Sequence, residues 1–348
     1  MTVDTLWYTR CPVPTASGYA LAAGLLADDF GQVGVRLTDL ATSDDPAIRR
    51  SHFDHTVANS IRQGGNIPPL VARARGADVR VIGFSWPTIS HRVLVSPDSG
   101  IADVAGLAGR RLALPVRRDD PSDFWRPTVL RGYTQALATA GLGLDDVTLV
   151  DVEVAGRHRE QPSTPSRSGL ARSPLSDGGF QRHEAAALLR GDVDAVFSEH
   201  SSNALLRHVL GLRPIVELAP LNGEKAVNNG IPLVVSASGE LIDSRPDLVT
   251  TWLDRIVRTP RWVRDHPDEA RRIYALESGL PEDLIDEAFP GPLEQHVVLD
   301  VDDRSIEAYA SQNAFLFEHG FIDQPVDLDT FVQTDLLEKV LADHGPQL

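Results

Sequence analysis

The amino-acid sequence predicts an α/β protein of two lobes, with a binding site in the cleft between them. The length of 348 residues exceeds the roughly 150 residues of a typical single domain. Apolar segments of strand length alternate with helix-like segments, which is typical of α/β proteins. This alternation restarts near residue 93 and again near residue 232, which indicates that the chain enters a second lobe and then returns. Ligands of such folds bind in the cleft.

The first lobe is predicted to begin with βα units in a mostly parallel sheet. Its strand-like and helix-like segments alternate along the chain at 6–9, 17–26, 33–37 and 78–84. The chain is then expected to return with a strand over 232–235 and to end in helices, including 248–264 and 305–319. This lobe therefore combines residues 1–92 with residues 232–348.

The second lobe is predicted to comprise residues 93–231. Strand-like segments lie at 92–95, 148–152 and 193–197. A helix over 130–140 is expected to end before Gly141, because glycine often follows the last turn of a helix.

One segment of this lobe, 156–182, breaks the alternation of strands and helices. It is rich in arginine, serine, proline and glycine and has few apolar residues. We expect a mobile excursion there, which is either a surface insertion or a lid over the cleft.

Composition and charge limit the classes of partner and the compartment. A formal net charge of −16 argues against nucleic acid and anionic membranes as partners. The first thirty residues do not have the pattern of a secretory signal, and we find no run of about 18 apolar residues that could span a bilayer. The single cysteine excludes an intrachain disulfide and fits a reducing compartment. We therefore expect a cytoplasmic monomer that binds a small molecule.

The single cysteine, Cys11, lies in the segment 8–14, which reads YTRCPVP. Prolines at 12 and 14 fix the backbone between a strand-like start and a helix-like run. A thiol presented there, close to a helix N-terminus, suits a nucleophile. The alternative is a small buried apolar residue, the commonest role of a free cysteine.

A second group of chemically active residues follows about forty residues later. It contains His52 next to Phe53, and then Arg62 followed by Gly64 and Gly65 in the segment RQGGNIPPL. Each residue also has an ordinary structural explanation: an ion pair for Arg62, a turn for the glycines and a hydrogen-bonded polar side chain for His52. Their combination with Cys11 favours a site.

Several motifs in this chain resemble those of known families. The segments LAGRRL at 107–112 and GDVDA at 191–195 resemble the solute-binding proteins of nitrate, sulfonate and taurine uptake, which have the type II periplasmic-binding-protein fold. The segments 8–14 and 62–70, with His52-Phe53, resemble more specifically the 2'-hydroxybiphenyl-2-sulfinate desulfinase family, which uses this fold in an enzyme.

The resemblance implies a hydrolase that cleaves the carbon–sulfur bond of an aromatic sulfinate and releases sulfite. It implies Cys11, His52 and Arg62 as catalytic residues, and Arg62, Gly64 and Gly65 as substrate-binding residues. Arg62 would pair with both sulfinate oxygens through its fork of donors, Gly65 would let its backbone approach the anion, and His52 would hydrogen-bond Cys11. No metal or other cofactor is expected, since the chain lacks a His-Glu-x-x-His motif, a phosphate loop and paired cysteines.

Three questions stay open at this point. Cys11 either attacks sulfur as a thiolate or protonates the ring carbon as a thiol. A binding protein for a sulfonate, sulfinate or aromatic anion would share the same fold without doing chemistry. Arg10 replaces a neutral residue of the family, and Glu199 with His200 stands where the family carries a tryptophan. An inward Arg10 would favour a more anionic ligand, whereas Glu199 makes specificity for biphenyl uncertain.

We also expect a conformational change on binding. The segment that carries His52 follows a polar, loop-like stretch at 43–46, and the excursion 156–182 has few apolar anchors. Both segments are predicted to order over the cleft when substrate binds, so that Cys11 meets His52 only in the closed form.

Overall fold

The computed structural model describes residues 4–156, 162, 180–219 and 227–348. Most of the predicted excursion 156–182 lies outside these described residues. The strands are β1 (Thr5–Arg10), β2 (Arg36–Asp39), β3 (Ser60–Gly64), β4 (Val79–Ser85), β5 (His91–Val95), β6 (Arg111–Val116), β7 (Thr148–Glu153), β8 (Val196–Glu199), β9 (Arg213–Glu217), β10 (Leu233–Ser238) and β11 (Leu299–Asp300).

The helices lie between and after these strands. They are α1 (Ala16–Ala22), α2 (Ala27–Gln32), α3 (Pro46–Asp54), α4 (Ile67–Ala74), α5 (Trp125–Ala138), α6 (Arg182–Arg190), α7 (His200–Leu210), α8 (Gly239–Ser244), α9 (Pro246–Ile256), α10 (Thr259–Asp265), α11 (Pro267–Ser278), α12 (Ile285–Ala288), α13 (Asp303–Glu318), α14 (Leu328–Phe331) and α15 (Asp335–His344). Among the residues that the structure describes, every helix is too short or too polar to cross a lipid bilayer.

The first sheet positions the predicted site. Its strand order is β11-β4-β10-β3-β1-β2, and β1 runs parallel to both β2 and β3. Thr9 on β1 is the register partner of Arg62 on β3, and the N–H of Cys11 continues this ladder by donating to the carbonyl of Gln63 at 3.0 Å. The carboxyl ends of β1 and β3 therefore lie side by side.

The other strands form a separate layer. The sheet β8-β5-β9 and the pair β6-β7 are joined by a parallel bridge between Leu112 and Ala195. All of these strands lie within residues 91–217, whereas the strands of the first sheet lie within residues 5–85 and 233–300. The chain therefore passes between the two layers twice. The lobe limits 1–92 with 232–348, and 93–231, stay a prediction.

The prediction of a mostly parallel sheet is wrong for five of the eight strand pairs in the described residues. Strand β10 runs antiparallel to β3 and β4, and β5 runs antiparallel to β8 and β9. Strand β11, which does not directly follow a crossing, also runs antiparallel to β4.

Three predicted helices also differ in extent. Helix α1 ends at Ala22 rather than at residue 26, and α5 begins at Trp125 rather than at residue 130. The segment predicted as one helix over 248–264 forms two, α9 and α10, because Pro260 begins a new helix in its first turn, where its missing N–H costs nothing.

Candidate active site

Cys11 lies directly after β1 and is half-buried. Thr15 then caps α1 by accepting a hydrogen bond from the N–H of Gly18 at 3.0 Å. The Gln63 side chain accepts a hydrogen bond from the N–H of Ser17 at 2.8 Å, and the Gln63 carbonyl accepts one from Cys11. Strand β3 therefore holds the segment on both sides of the thiol.

His52 lies in the last turn of α3, a helix that was not predicted from the sequence, whereas residues 43–45 of the predicted loop-like stretch do lie outside it. Ordering of this segment over the cleft on binding stays a prediction. Asp45 caps this helix by accepting from the N–H of Ala47 at 2.8 Å, and Pro46 fixes its first turn. The His52 side chain is buried, with its Nδ1 2.8 Å from Thr9 Oγ1 and its Nε2 3.9 Å from Cys11 Sγ. The imidazole is thus held against the thiol by β1 itself.

The two possible proton arrangements of His52 have different chemical consequences. If Thr9 donates to Nδ1, Nε2 carries the proton and faces sulfur as a donor. If Thr9 accepts from Nδ1–H, Nε2 faces the thiol as a base. Both arrangements place a proton-transfer partner beside Cys11.

Arg62 lies on the buried strand β3 with 3% of its surface exposed. One terminal nitrogen donates to the carbonyl of Gly65 at 2.9 Å, and the other lies 3.6 Å from Cys11 Sγ. The pKa of Arg62 is lowered from its usual range, because the effect of burial outweighs the opposite effect of Cys11. Burial and the charge of Arg62 together hold the pKa of His55 well below its ordinary value. The positive charge in this part of the site therefore belongs to Arg62.

The buried guanidinium of Arg62 lacks a full set of partners. Within the described ranges, no carboxylate oxygen lies within the 4.0 Å of an ion pair, and Arg62 Nε is buried without a hydrogen-bond partner. A buried charge is costly unless it is paired. This arrangement suits an anionic ligand.

The two glycines contribute by having no side chain. A Cβ added at Gly64 would lie 2.4 Å from Cys11 Sγ, so Gly64 makes room for the thiol. A Cβ added at Gly65 would lie 2.5 Å from Asn229 Oδ1, so the backbone of Gly65 packs directly against that amide. The Asn229 side chain in turn accepts from the N–H of Ile67 at 3.0 Å. Gly65 and Asn229 both line the cavity.

A partly open cavity of about 50 Å³ connects these groups. Its wall is mainly apolar, and the residues that line it are Cys11, Pro12, Val13, His52, Phe53, Arg62, Gly65, Pro68, Ile89, Phe124, Phe180, Glu199, His200, Asn229, Gly230 and Leu233. Both layers of the fold contribute residues. The structure therefore brings Cys11, His52, Arg62 and Gly65 together around one cavity.

Three phenylalanines of the wall form a ladder of nearly parallel rings. The Phe53 and Phe124 centroids are 5.8 Å apart at an interplanar angle of 13°, and those of Phe124 and Phe180 are 6.2 Å apart at 8°. Phe53 also meets the His52 ring edge-on at 4.6 Å. An aromatic surface thus begins next to the thiol and extends across the cavity. Phe53 is predicted from the sequence by its place next to His52, whereas Phe124 and Phe180 are not, since their approach to the cavity depends on the packing of the two layers.

Arg10 is buried but takes no part in this wall. Its guanidinium pairs with Glu277 at 2.8 Å and with Asp39 at 3.5 Å. Burial lowers the pKa of Arg10, but these two carboxylates outweigh it and raise the pKa. Arg10 therefore forms a buried ion-pair network, and its charge is balanced by that network.

The opposite part of the wall carries a carboxylate with two histidines. Glu199 Oε2 is 3.2 Å from His91 Nε2, and Glu199 Oε1 is 3.3 Å from His200 Nε2. Burial raises the pKa of Glu199, but the contacts with His200 and His91 outweigh it and lower the pKa to about 2. No group of three or more potential ligands among the described residues is arranged to hold a metal ion.

Comparison with known proteins identifies the family. The chain is 30% identical to 2'-hydroxybiphenyl-2-sulfinate desulfinase of Rhodococcus erythropolis, over 98% of this chain and 94% of that protein. The homologue of Rhodococcus qingshengii matches with the same identity and coverage. This chain belongs to the 2'-hydroxybiphenyl-2-sulfinate desulfinase family. No protein-family model matches it. The family resemblance stated from the motifs is confirmed.

Solved structures extend the likeness from the desulfinase family to binding proteins. The desulfurization enzyme DszB superposes with a TM-score of 0.76 at 28% identity, covering 98% of this chain and 99% of that one. A DszB variant in complex with biphenyl-2-sulfinic acid gives a TM-score of 0.75 at 26% identity, covering 99% and 100%. The aliphatic sulphonate-binding protein SsuA of Escherichia coli gives 0.66 at 17% identity, covering 95% and 92%. The predicted two-lobed, binding-protein-like fold is confirmed.

Proposed function

We propose that this protein is a cofactor-free desulfinase that hydrolyses an aromatic sulfinate to the arene and sulfite. The observation that carries the proposal is the buried Arg62, which contacts the Cys11 sulfur but pairs with no carboxylate in the described part of the chain. A sulfinate is a small anion with two oxygens, which a guanidinium can pair with through parallel hydrogen bonds. Membership of the desulfinase family supports the same reaction.

The aromatic ladder supports an aromatic rather than an aliphatic substrate. The ring of an aryl sulfinate bound to Arg62 would lie close to Phe53, since His52 and Phe53 adjoin the thiol. Offset and edge-to-face contacts between rings contribute about 0.5–1.5 kcal/mol each beyond the burial of area. The bound biphenyl-2-sulfinic acid of the DszB variant belongs to this class of ligand.

The roles proposed for the site residues follow from their positions. Cys11 provides the reacting sulfur or proton, His52 moves a proton to or from it, and Arg62 holds the sulfinate oxygens. Gly65 lines the cavity with its backbone while packing against Asn229, and Gly64 leaves space for the thiol.

Two balanced routes lead to the same products. In the first, the Cys11 thiolate bonds to the sulfinate sulfur, the carbon–sulfur bond breaks, the ring carbon takes a proton, and water then releases hydrogen sulfite from Cys11. In the second, the Cys11 thiol protonates the ring carbon, the carbon–sulfur bond breaks with loss of sulfur dioxide, and water converts that to hydrogen sulfite. Mass spectrometry of the intact protein during turnover distinguishes them, because only the first route leaves sulfur dioxide attached to Cys11.

The test compares the parental protein with Cys11→Ser on biphenyl-2-sulfinate and 2'-hydroxybiphenyl-2-sulfinate. The parental protein should release one sulfite per arene formed. Cys11→Ser should release none while still binding both sulfinates in calorimetry, because a serine hydroxyl is a far poorer nucleophile and acid near neutral pH. Binding without any sulfite from the parental protein would instead favour the non-catalytic binding protein.

A further inference from the structure

The carboxylate of Glu199 is a feature of the cavity that the proposed chemistry does not use. Glu199 ends β8, where it is the register partner of His91 on β5, and it is 5% exposed. It lines the same cavity as Cys11 and Arg62. A carboxylate in a largely apolar wall is costly unless its interactions compensate for lost hydration, so its presence there asks for an explanation.

The two neighbouring histidines keep this carboxylate ionised. The N–H of Ser201 donates to His200 Nδ1 at 2.8 Å, so in this geometry Nδ1 accepts and Nε2 carries the proton toward Glu199. His200 is also held in place by stacking on Phe289, at 6.0 Å and 13°. The pKa of Glu199, near 2, keeps the group an acceptor throughout the neutral range.

The Glu199 carboxylate has room for further hydrogen bonds. Its two oxygens offer about four acceptor positions, and Oε2 is buried without a hydrogen-bond partner although His91 Nε2 lies 3.2 Å away. A ligand in the cavity thus meets a cation, Arg62, and an anion, Glu199. A second negative charge on the ligand would be repelled by Glu199, whereas a neutral donor such as a hydroxyl would be bound.

We propose that Glu199 is a specificity-determining residue that accepts a hydrogen bond from a hydroxyl group on the aromatic part of the substrate, away from the sulfinate. The inference rests on the proposed function, since it assumes that Arg62 holds the sulfinate. It defines the substrate class as aryl monoanions with a neutral hydrogen-bond donor, and it excludes dianions. His91 and His200 act through Glu199 and are positioning residues.

The test uses three ligands that differ at one position of the second ring: biphenyl-2-sulfinate, its 2'-hydroxy derivative and its 2'-carboxy derivative. Binding is measured by calorimetry in the Cys11→Ser background, and kcat/KM by sulfite release with Cys11 present. The parental site should prefer the hydroxy ligand over the unsubstituted one by about tenfold, as expected for a charge-assisted hydrogen bond. It should bind the carboxy ligand most weakly.

Glu199→Gln should change the affinities for the two substituted ligands in opposite directions. The preference for the hydroxy ligand should fall several-fold, since a neutral acceptor forms a weaker bond, while the carboxy ligand should gain affinity. General damage to the cavity would weaken the binding of all three ligands together. Glu217→Gln is the matched control, because Glu217 accepts from the N–H of His91 at 3.1 Å but is not among the cavity-lining residues.

Unchanged ratios among the three ligands in Glu199→Gln, or the same change in Glu217→Gln, would overturn the role of Glu199. Binding with the expected ratios but without sulfite release would overturn the desulfinase proposal alone. Failure of all three sulfinates to bind the parental site would overturn both. If Glu199→Gln does not fold, Glu199→Asp carries the same test, because it withdraws the carboxylate by one methylene group and should also lower the preference for the hydroxyl.

Discussion

Replacement of Gly64 by alanine tests whether the position of the Cys11 sulfur controls activity. Gly64 ends β3, and a Cβ at this position would lie 2.4 Å from Cys11 Sγ and 3.2 Å from a terminal nitrogen of Arg62. Non-bonded heavy atoms pack best at about 3.5–4.0 Å. The sulfur must therefore move by more than about 1 Å, or the ends of β1 and β3 must separate.

The expected loss of activity follows from the contacts that this movement disturbs. Cys11 Sγ lies 3.9 Å from His52 Nε2 and 3.6 Å from a terminal nitrogen of Arg62, which are already long distances for hydrogen bonds to sulfur. If the sulfur moves away from these groups by about 1 Å, both contacts are lost. A misplacement of about 1 Å at a reacting group costs about 100-fold in rate. Overpacking of this kind destabilises a protein by about 1–3 kcal/mol, so the variant should fold while its kcat/KM for sulfite release falls about 100-fold.

Gly31→Ala provides the matched control. Gly31 lies in α2, and a Cβ added there meets no atom within 4 Å. This variant should keep parental kcat/KM and gain about 0.4–1 kcal/mol of stability, because alanine restricts the unfolded chain. Sulfite release by a folded Gly64→Ala variant at near-parental kcat/KM would refute the argument that the sulfur position is critical.

Two further substitutions distinguish the roles of the two buried arginines. Arg62→Lys should weaken binding of biphenyl-2-sulfinate about 10- to 100-fold in the Cys11→Ser background, since an ammonium group cannot reproduce the bidentate fork; unchanged affinity in calorimetry would place Arg62 outside the anion site. Arg10→Ala should lower the free energy of unfolding by about 3–5 kcal/mol, because it leaves two buried carboxylates unpaired. Arg118→Ala, which removes an exposed pair with Glu153, should change stability in urea unfolding far less, since exposed ion pairs contribute little. Equal losses in the last two variants would contradict the structural role of Arg10.

The prediction of the fold from sequence depended on apolar alternation, and it failed where a buried strand is polar. Strand β3 carries Arg62 and Gln63 in its centre, and all five of its residues are buried. Such a segment lacks the alternation of a half-buried strand and the apolar run of a fully buried one. Its assignment depends on its place between β1 and β10, which local sequence does not encode.

Helix α3 is an omission of a different kind, because its signal is present in the sequence. Asp45 followed by Pro46 is a typical start of a helix, with a capping side chain and a proline in the first turn. Only the polar, loop-like stretch at 43–46 was predicted, and its first three residues do precede the helix. The helix matters for function, since it buries His52 and Phe53 and places the imidazole against both Thr9 and Cys11.

The candidate site could be predicted from sequence in its chemistry but not in its division of roles. Arg10 and Arg62 lie on adjacent strands, where Thr9 is paired with Arg62 and Arg10 with Gln63. Both are buried arginines close to Cys11 in the chain or in space, and sequence alone gave Arg10 the possibility of adding charge to the site. Among the described residues, Arg10 pairs with two carboxylates, whereas Arg62 contacts a carbonyl and a thiol but no carboxylate. Because a buried cation needs an anion, the arginine whose counter-ion belongs to the protein stabilises the fold, and the other one suits a counter-ion from the substrate.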